Sequence, residues 1–352
     1  MIGGRLTLAL TLALVACTGG PRRPRAPLVD VTPIDNGDDG GARLRRELEL
    51  EVLDSYDRLA LDATSAAAAI DPAVGLTAIG VGPGELGASS AALARWPVTE
   101  VDERPVTVVS RALELHLAVD GAVGWTYDQI SLHLRVCGRT ATIPLRAAQV
   151  YVRDSERWTL VSEHLAYAQP MGQWLDAATG PVGPPMLGAI ERQPESDAAL
   201  AALTAAFAVD GDRARTWDAA ADAIAIWPDP LQTLRGGAVR TGPSLAASLD
   251  ASAIVVEGAR LAFGPGRRVA IAATSLLATV GRDAGPVDVR LRATAVLERG
   301  DDGAWRIRQA MVSAPITPPA LVARTVGVIA TVSGSQVFVR CAAGPATVAA
   351  LP

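Results

Sequence analysis

The sequence predicts an α+β protein made of two tandem units of one fold, each an antiparallel sheet packed on helices. Three observations lead there. The chain has 352 residues, which exceeds one average domain and suffices for two of modest size, each with its own core. A helical stretch followed by four strand-like runs occurs twice along it. The second occurrence also repeats residues of the first. Pro144-Leu145-Arg146-Ala147-Ala148-Gln149-Val150-Tyr151-Val152-Arg153 aligns with Arg290-Leu291-Arg292-Ala293-Thr294-Ala295-Val296-Leu297-Glu298-Arg299, and Trp158-Thr159-Leu160-Val161 aligns with Trp305-Arg306-Ile307-Arg308. Val123 falls against Val269 in the same frame, and a one-residue loop difference precedes the tryptophans. Two copies of one unit is the economical reading.

Residues Met1 to Ala16 hold one cation, Arg5, and an apolar run from Leu6 to Ala16. That is the length of a secretory signal core and too short to span a bilayer. The run ends Leu14-Val15-Ala16-Cys17, which resembles the bacterial lipobox, where small apolar residues precede a cysteine that becomes the lipidated first residue. The resemblance implies a lipoprotein signal peptide over residues 1–16 and lipid on Cys17. Two or more acyl chains, at roughly 0.8 kcal/mol per buried methylene, hold a soluble domain at a membrane where one would be marginal. Thr18 stands where the sorting rule would use aspartate for inner-membrane retention. The expected location is therefore the bacterial cell envelope, facing the periplasm, with the outer membrane favoured over the inner.

Residues 17–43 mix proline, arginine, glycine and aspartate with few apolar anchors and read as a flexible tether. The first unit, residues 44–168, opens with Leu44, Leu48, Val52 and Tyr56 recurring every four positions, opposite charged residues such as Arg45, Glu49 and Asp57. That is an amphipathic helix. A glycine-rich break from Gly75 to Gly87 and a short helix over Ser90 to Trp96, ended by Pro97, come next. Strands are expected at Val106–Val119, Val123–Val136, Thr140–Val152 and Trp158–Tyr167, joined by short turns as a meander. Glycines and prolines make residues 169–195 a linker. The second unit, residues 196–316, reads as helix over Ala199–Ala225, a short helix over Ser244–Leu249, and strands at Ala253–Phe263, Val269–Val280, Val287–Glu298 and Trp305–Ser313. Residues 317–352 form a tail in which two apolar runs around Ser333-Gly334-Ser335 suit a hairpin.

Hydrophobic residues make up 49% of the chain and charged ones 20%, which excludes an acidic disordered polymer. The formal net charge is -5 and the sequence contains no lysine, so no basic patch of the kind that binds nucleic acid is expected. With lipid on Cys17, Cys137 and Cys341 remain in an oxidising compartment, where a bridge and an isolated buried thiol both stay open. His116, His133 and His164 are the only histidines, and the one histidine close to a cysteine, His133 four residues before Cys137, has no second cysteine or histidine beside it. No metal and no cofactor are expected.

An opening helix, the glycine-proline-acid turn Gly80-Val81-Gly82-Pro83-Gly84-Glu85, a short helix, and four strands closing on Trp158-Thr159-Leu160-Val161-Ser162-Glu163-His164-Leu165 resemble the SnoaL-like branch of the nuclear transport factor 2-like superfamily. The resemblance implies two cone-shaped domains, each a curved antiparallel sheet wrapped around helices with an apolar pocket at its wide end. It also implies sheet-to-sheet pairing, which tandem copies would make within one chain as an intramolecular pseudo-dimer. Members of the superfamily include cyclases, isomerases and many non-enzymes, so the fold does not choose among functions.

No compact catalytic motif is present, and no catalytic set is assigned. The ligand-pocket candidates are Tyr56, Asp128 and His164. Tyr56 and Asp128 suit a donor and a base, although Tyr56 also lies on the apolar stripe of its helix and reads as a core tyrosine. His164 shares strand parity with Trp158 and Leu160, which points it inward; its readings are a pocket acid or base, or a ring satisfied by a backbone carbonyl. The second copy has Met311 and Gln309 where the first has His164 and Ser162. His116 and Glu114 are expected on the outer face of the sheet, solvated or in an interface, and Arg146 and Arg292 are expected to hold carboxylates or carbonyls if buried. The expected function is non-catalytic binding of a small apolar ligand or an envelope protein partner. Alternatives are an isomerase or cyclase acting through the first unit, and a structural subunit of an envelope assembly.

Overall fold

A computed structural model describes residues 39–61, 77–80, 86–87, 105–136, 139–154, 157–167, 194–315, 329–333 and 336–340. The expected signal segment with Cys17, most of the expected tether, the short helix expected near Trp96, the expected linker, Cys137 and Cys341 lie outside these residues. Helix α1 (Asp39–Leu61) opens the amino-terminal half. The strands that follow are β1 (Thr77–Ile79), β2 (Leu86–Gly87), β3 (Pro105–Ser110), β4 (Glu114–Leu117), β5 (Val123–Val136), β6 (Arg139–Asp154) and β7 (Arg157–Ala166). They form one sheet in the order β2-β1-β7-β6-β5-β3, with β4 also on β5.

The carboxy-terminal half opens with α2 (Pro194–Phe207) and then α3 (Arg213–Thr216), β8 (Ile224–Ile226), β9 (Thr233–Arg235), α4 (Ala238–Thr241) and α5 (Leu245–Leu249). Strands β10 (Ala251–Phe263), β11 (Val269–Val280), β12 (Val287–Arg299) and β13 (Trp305–Ser313) complete a second sheet, ordered β10-β11-β12-β13-β8-β9. Strands β14 (Ile329–Ser333) and β15 (Gln336–Arg340) pair with each other as an antiparallel ribbon. The molecule is thus a mixed α+β structure with two curved sheets and few helices.

Three details differ from the sequence expectation. The alanine-rich run from Ala199 to Ala225 is not one helix: α2 stops at Phe207, Gly211 follows, and the run ends in β8. Alanine has the highest helix propensity, but propensity is a small term that packing overrides, and Ala223, Ala225 and Trp227 are needed in the core. The expected strand from Val106 to Val119 breaks between Ser110 and Glu114 into β3 and β4. Parallel strands enter both sheets: β1 beside β7 and β8 beside β13.

Register relates the two halves position by position. Asp128 pairs with Ala147 on β5 and β6, as Thr274 pairs with Ala293 on β11 and β12. Thr77 opposes Ser162 as Ile224 opposes Gln309. Each closing strand carries a bulge at the same place. Val150 pairs with Ser162 and Tyr151 with Leu160, leaving Val161 unpaired; Val296 pairs with Gln309 and Leu297 with Ile307, leaving Arg308 unpaired. The helices agree as well. Leu48, Val52, Ser55 and Tyr56 face inward from α1 with the spacing that Ala199, Leu203, Ala206 and Phe207 show on α2. A large residue against a small one in the first half stands where two small ones meet in the second. Leu48 lies on Gly124, where an added Cβ would meet the Leu48 side chain at 2.5 Å, and Ala199 and Ala270 fill the equivalent positions.

Each helix buries an apolar stripe on the inner face of its own sheet. Leu48, Val52 and Tyr56 pack with Ile130, Leu145, Ala147, Tyr151, Trp158 and Leu165 in one half, and Ala199, Leu203 and Phe207 pack with Leu276, Leu291, Leu297 and Ile307 in the other. The outer faces of the two sheets pack on each other. One cluster joins Val123, Trp125 and Val150 to Val269, Ile271 and Val296, the same register positions from each sheet. A second joins Tyr127, Ala148 and Ala166 to Ile224, Ile226 and Met311.

Candidate functional site

The sheets separate two groups of polar side chains that the sequence does not distinguish. Strand alternation sends Asp128 to the inner face of β5, between the outward-facing Tyr127 and the exposed Gln129. Its Oδ1 accepts the backbone N–H groups of Ala112 at 3.0 Å and Arg111 at 3.4 Å, the two residues where the edge strand breaks. Burial pushes the carboxyl up, against the pull of the Ser110 hydroxyl, these N–H groups and the Tyr56 hydroxyl. Asp128 Oδ2 closes no hydrogen bond.

Tyr56 reaches the same place from α1. Its hydroxyl is fully buried and closes no hydrogen bond of standard geometry among the described residues, with the Asp128 carboxyl as its hydrogen-bonding neighbour. The phenol and the Asp128 carboxyl nevertheless act on one another. Burial, then the charges of Asp128, Tyr151 and Glu163, raise the phenol well above its ordinary value. Both carboxylates therefore make themselves felt at one tyrosine.

Glu163 is the residue that the sequence reading passed over. It pairs with Gln149 across β6 and β7 and takes a 2.8 Å hydrogen bond from Gln149 Nε2 on its Oε1. Tyr151 Oη donates to Gln149 Oε1 at 3.0 Å and lies 3.3 Å from Ser55 Oγ. Ser55 in turn donates to the Val52 carbonyl. Since Gln149 accepts from Tyr151 through its oxygen, its amide group must face Glu163. The chain of donors ends on Glu163, whose Oε2 has no partner. Burial dominates and pushes this carboxyl up to about 7, with the Gln149 hydrogen bond pulling the other way.

His164 does not join this group. The unpaired Val161 shifts the alternation of β7 by one residue, so Glu163 faces α1 and His164 faces the second sheet. The inward parity expected from Trp158 and Leu160 is corrected by that bulge. His164 Nδ1 meets Thr294 Oγ1 at 3.1 Å and Nε2 meets Ser313 Oγ at 2.7 Å, so hydroxyls rather than a carbonyl satisfy the ring. Burial, then the charges of Arg292 and Arg146, hold the ring well below its ordinary value and keep it neutral.

His164 belongs to the seam between the sheets. Arg146 donates there to the carbonyls of Trp227 at 2.8 Å, Pro228 at 3.1 Å and Asp229 at 3.4 Å, the carbonyl partners that a buried strand arginine requires. Gln309 Nε2 donates to the Thr126 carbonyl at 3.1 Å. At the rim, Glu114 pairs with Arg235 at 2.6 Å and His116 with Asp222 at 3.4 Å. Trp125 stacks with His116 and carries the Arg308 guanidinium 5.8 Å from its ring centre. Arg308 also binds Asp222 at 2.6 Å and Glu298 at 3.1 Å. Burial raises the Asp222 carboxyl, but the hydrogen bonds and charges of His116 and Arg308 outweigh it and hold the group far below the usual carboxylate range.

Among the described residues no group of histidine, cysteine, aspartate and glutamate is arranged to hold a metal, and no helix is long and apolar enough to cross a membrane.

No family model and no curated protein matches the chain. Solved structures do. A candidate ketosteroid isomerase from Shewanella frigidimarina is 17% identical, with 34% of this chain and 91% of that one covered and a TM-score of 0.26. A nuclear transport factor 2-like superfamily protein from Salmonella enterica is 15% identical, over 29% of this chain and 73% of that one, with a TM-score of 0.25. Aln2 from a Streptomyces species is 15% identical, over 36% of this chain and 90% of that one, with a TM-score of 0.30.

Proposed function

We propose that this chain is a lipid-anchored binding protein of the bacterial cell envelope, held at the membrane through Cys17, with the outer membrane favoured. In this reading residues 44–168 form a SnoaL-like unit that receives a small ligand between α1 and its sheet. Residues 196–316 form a second unit of the same kind, filled by side chains, which completes an intramolecular pseudo-dimer. The observation that carries the reading is the set of open, buried polar atoms at Tyr56, Asp128 and Glu163. Buried polar groups are normally satisfied, and the equivalent positions in the other half are Phe207, Thr274 and Ala310. A ligand with a polar end supplies what is missing.

Binding is favoured over turnover because His164 faces away and Asp128 spends one oxygen on the backbone of the broken edge strand. The Tyr56 phenol facing a carboxyl raised by burial is the observation that favours the second reading, an isomerase or cyclase acting through the first unit. The test is native mass spectrometry of the full chain released from bacterial envelopes by mild detergent. A reproducible small-molecule adduct on a monomer is expected, together with acyl mass on Cys17 that Cys17→Ala removes. A bare, self-associating chain would instead support a structural subunit of an envelope assembly.

A further inference from the structure

The ligand-binding reading of the first half leaves the chemistry of the ligand open, and the hydrogen-bond directions narrow it. Every contact to Glu163 and to Asp128 arrives from a donor: Gln149 Nε2 on Glu163 Oε1, and the N–H groups of Arg111 and Ala112 on Asp128 Oδ1. Both carboxyls are thus set as acceptors: Glu163 Oε2 is left without a donor among the described residues, and Asp128 Oδ2 has the Ser110 and Tyr56 hydroxyls beside it but closes no hydrogen bond of standard geometry. The side chains facing them are Ser55 and Tyr56 from α1, Gln149 and Tyr151 from β6, and Ser110 beside Asp128. No cation is among these described residues. The buried arginine of β6, Arg146, points to the other sheet, and Arg153 binds Glu47. Two buried acids without a countercharge are costly, and a cation brought by a ligand would relieve that cost.

Separation sets the second requirement. Asp128 stands on β5 and Glu163 on β7, with β6 between them, so their backbones lie roughly 10 Å apart at ordinary strand spacing. A ligand that meets both from the sheet has to present donors at two places. Tyr56 feels the charge of each and offers an aromatic surface to whatever connects them.

We propose that the first half takes a protonated amine that carries a second hydrogen-bond donor along its length, the ammonium completing Glu163 Oε2 and the second donor completing Asp128 Oδ2. This rests on the ligand-binding reading and extends it to a chemical class. Binding the cation requires Glu163 to be ionised, so below about pH 7 affinity should fall about tenfold per pH unit as the proton competes.

Isothermal titration calorimetry of the full chain with tyramine and with tyrosol, the same skeleton bearing a hydroxyl in place of the amine, tests it. Tyramine should bind more tightly by about tenfold or more above the Glu163 titration, and its advantage should shrink as the pH falls. Glu163→Gln, isosteric with the protonated acid, should erase the difference between the two probes while circular dichroism shows the fold kept. Tyrosol binding as well as tyramine, or tyramine tightening as pH falls, overturns the amine assignment and leaves the ligand-binding reading standing. If neither probe binds and neither response changes in Glu163→Gln, the interior is not a ligand site and both readings fall.

Discussion

The interiors of the two halves have the same strands, register and helix spacing, and they differ in chemistry. Between α1 and its sheet lie Ser55, Tyr56, Asp128, Gln149, Tyr151 and Glu163; at the equivalent positions lie Ala206, Phe207, Thr274, Ala295, Leu297 and Ala310. The second set shows what the fold needs to stand: apolar side chains closing on each other, with Thr274 satisfied by the Gly258 carbonyl at 2.5 Å. The first set shows what was added to that requirement. Its open polar atoms weaken the core they sit in, and at these equivalent positions only the first half carries them, although Trp217 Nε1 and Ser248 Oγ are open elsewhere in the second half.

The comparison can be broken most severely at the seam that lets the halves share one molecule. Trp125→Ala should cost about 3–5 kcal/mol in urea denaturation, because it empties the centre of the inter-sheet cluster. The smaller side chain at the equivalent position, Ile271, should cost less when cut to alanine. Next comes Glu163, whose carboxyl is raised from 4.5 to about 7. A raised carboxyl stabilises the fold below its unfolded value and loses that contribution as the pH climbs toward its folded value. The loss should total about 3 kcal/mol, and Glu163→Gln should flatten the dependence of stability on pH across that window. The smallest effect is a matched pair. Phe207→Tyr places a hydroxyl in an apolar interior and should lower stability by about 1–3 kcal/mol, whereas Tyr56→Phe removes a hydroxyl whose neighbour is the Asp128 carboxyl and should change stability by less than about 1 kcal/mol.

Much of this architecture is legible in the sequence, and the failures are local. Strands over Val123–Val136, Val269–Val280 and Trp305–Ser313 have the bounds that alternation predicts. The three-residue strands β1 and β8 are too short to show a period and exist because a neighbouring strand offers them a ladder. His164 was misplaced because counting by twos assumes an unbroken pleat, and Val161 breaks it. Tyr56 and Asp128 could be singled out from residue type and position, but Glu163, Gln149, Tyr151 and Ser55 were missed. The alignment of the copies held the signal: Gln149 falls against Ala295 and Glu163 against Ala310. Agreement between copies reports the fold, and disagreement at an inward position reports what one copy does beyond it.

The seam holds two contacts that occupy equivalent places and are built from different atoms. His164 sits against Thr294 and Ser313, and at the mirrored place Met311 sits with Ala148 and Ala166. Were these sheets to meet as identical subunits, any substitution on one side would be imposed on the other. A histidine and two hydroxyls would then appear twice or not at all. Carrying both sheets on one polypeptide removes that obligation and keeps the partner at high effective concentration. Each half is then free to change alone.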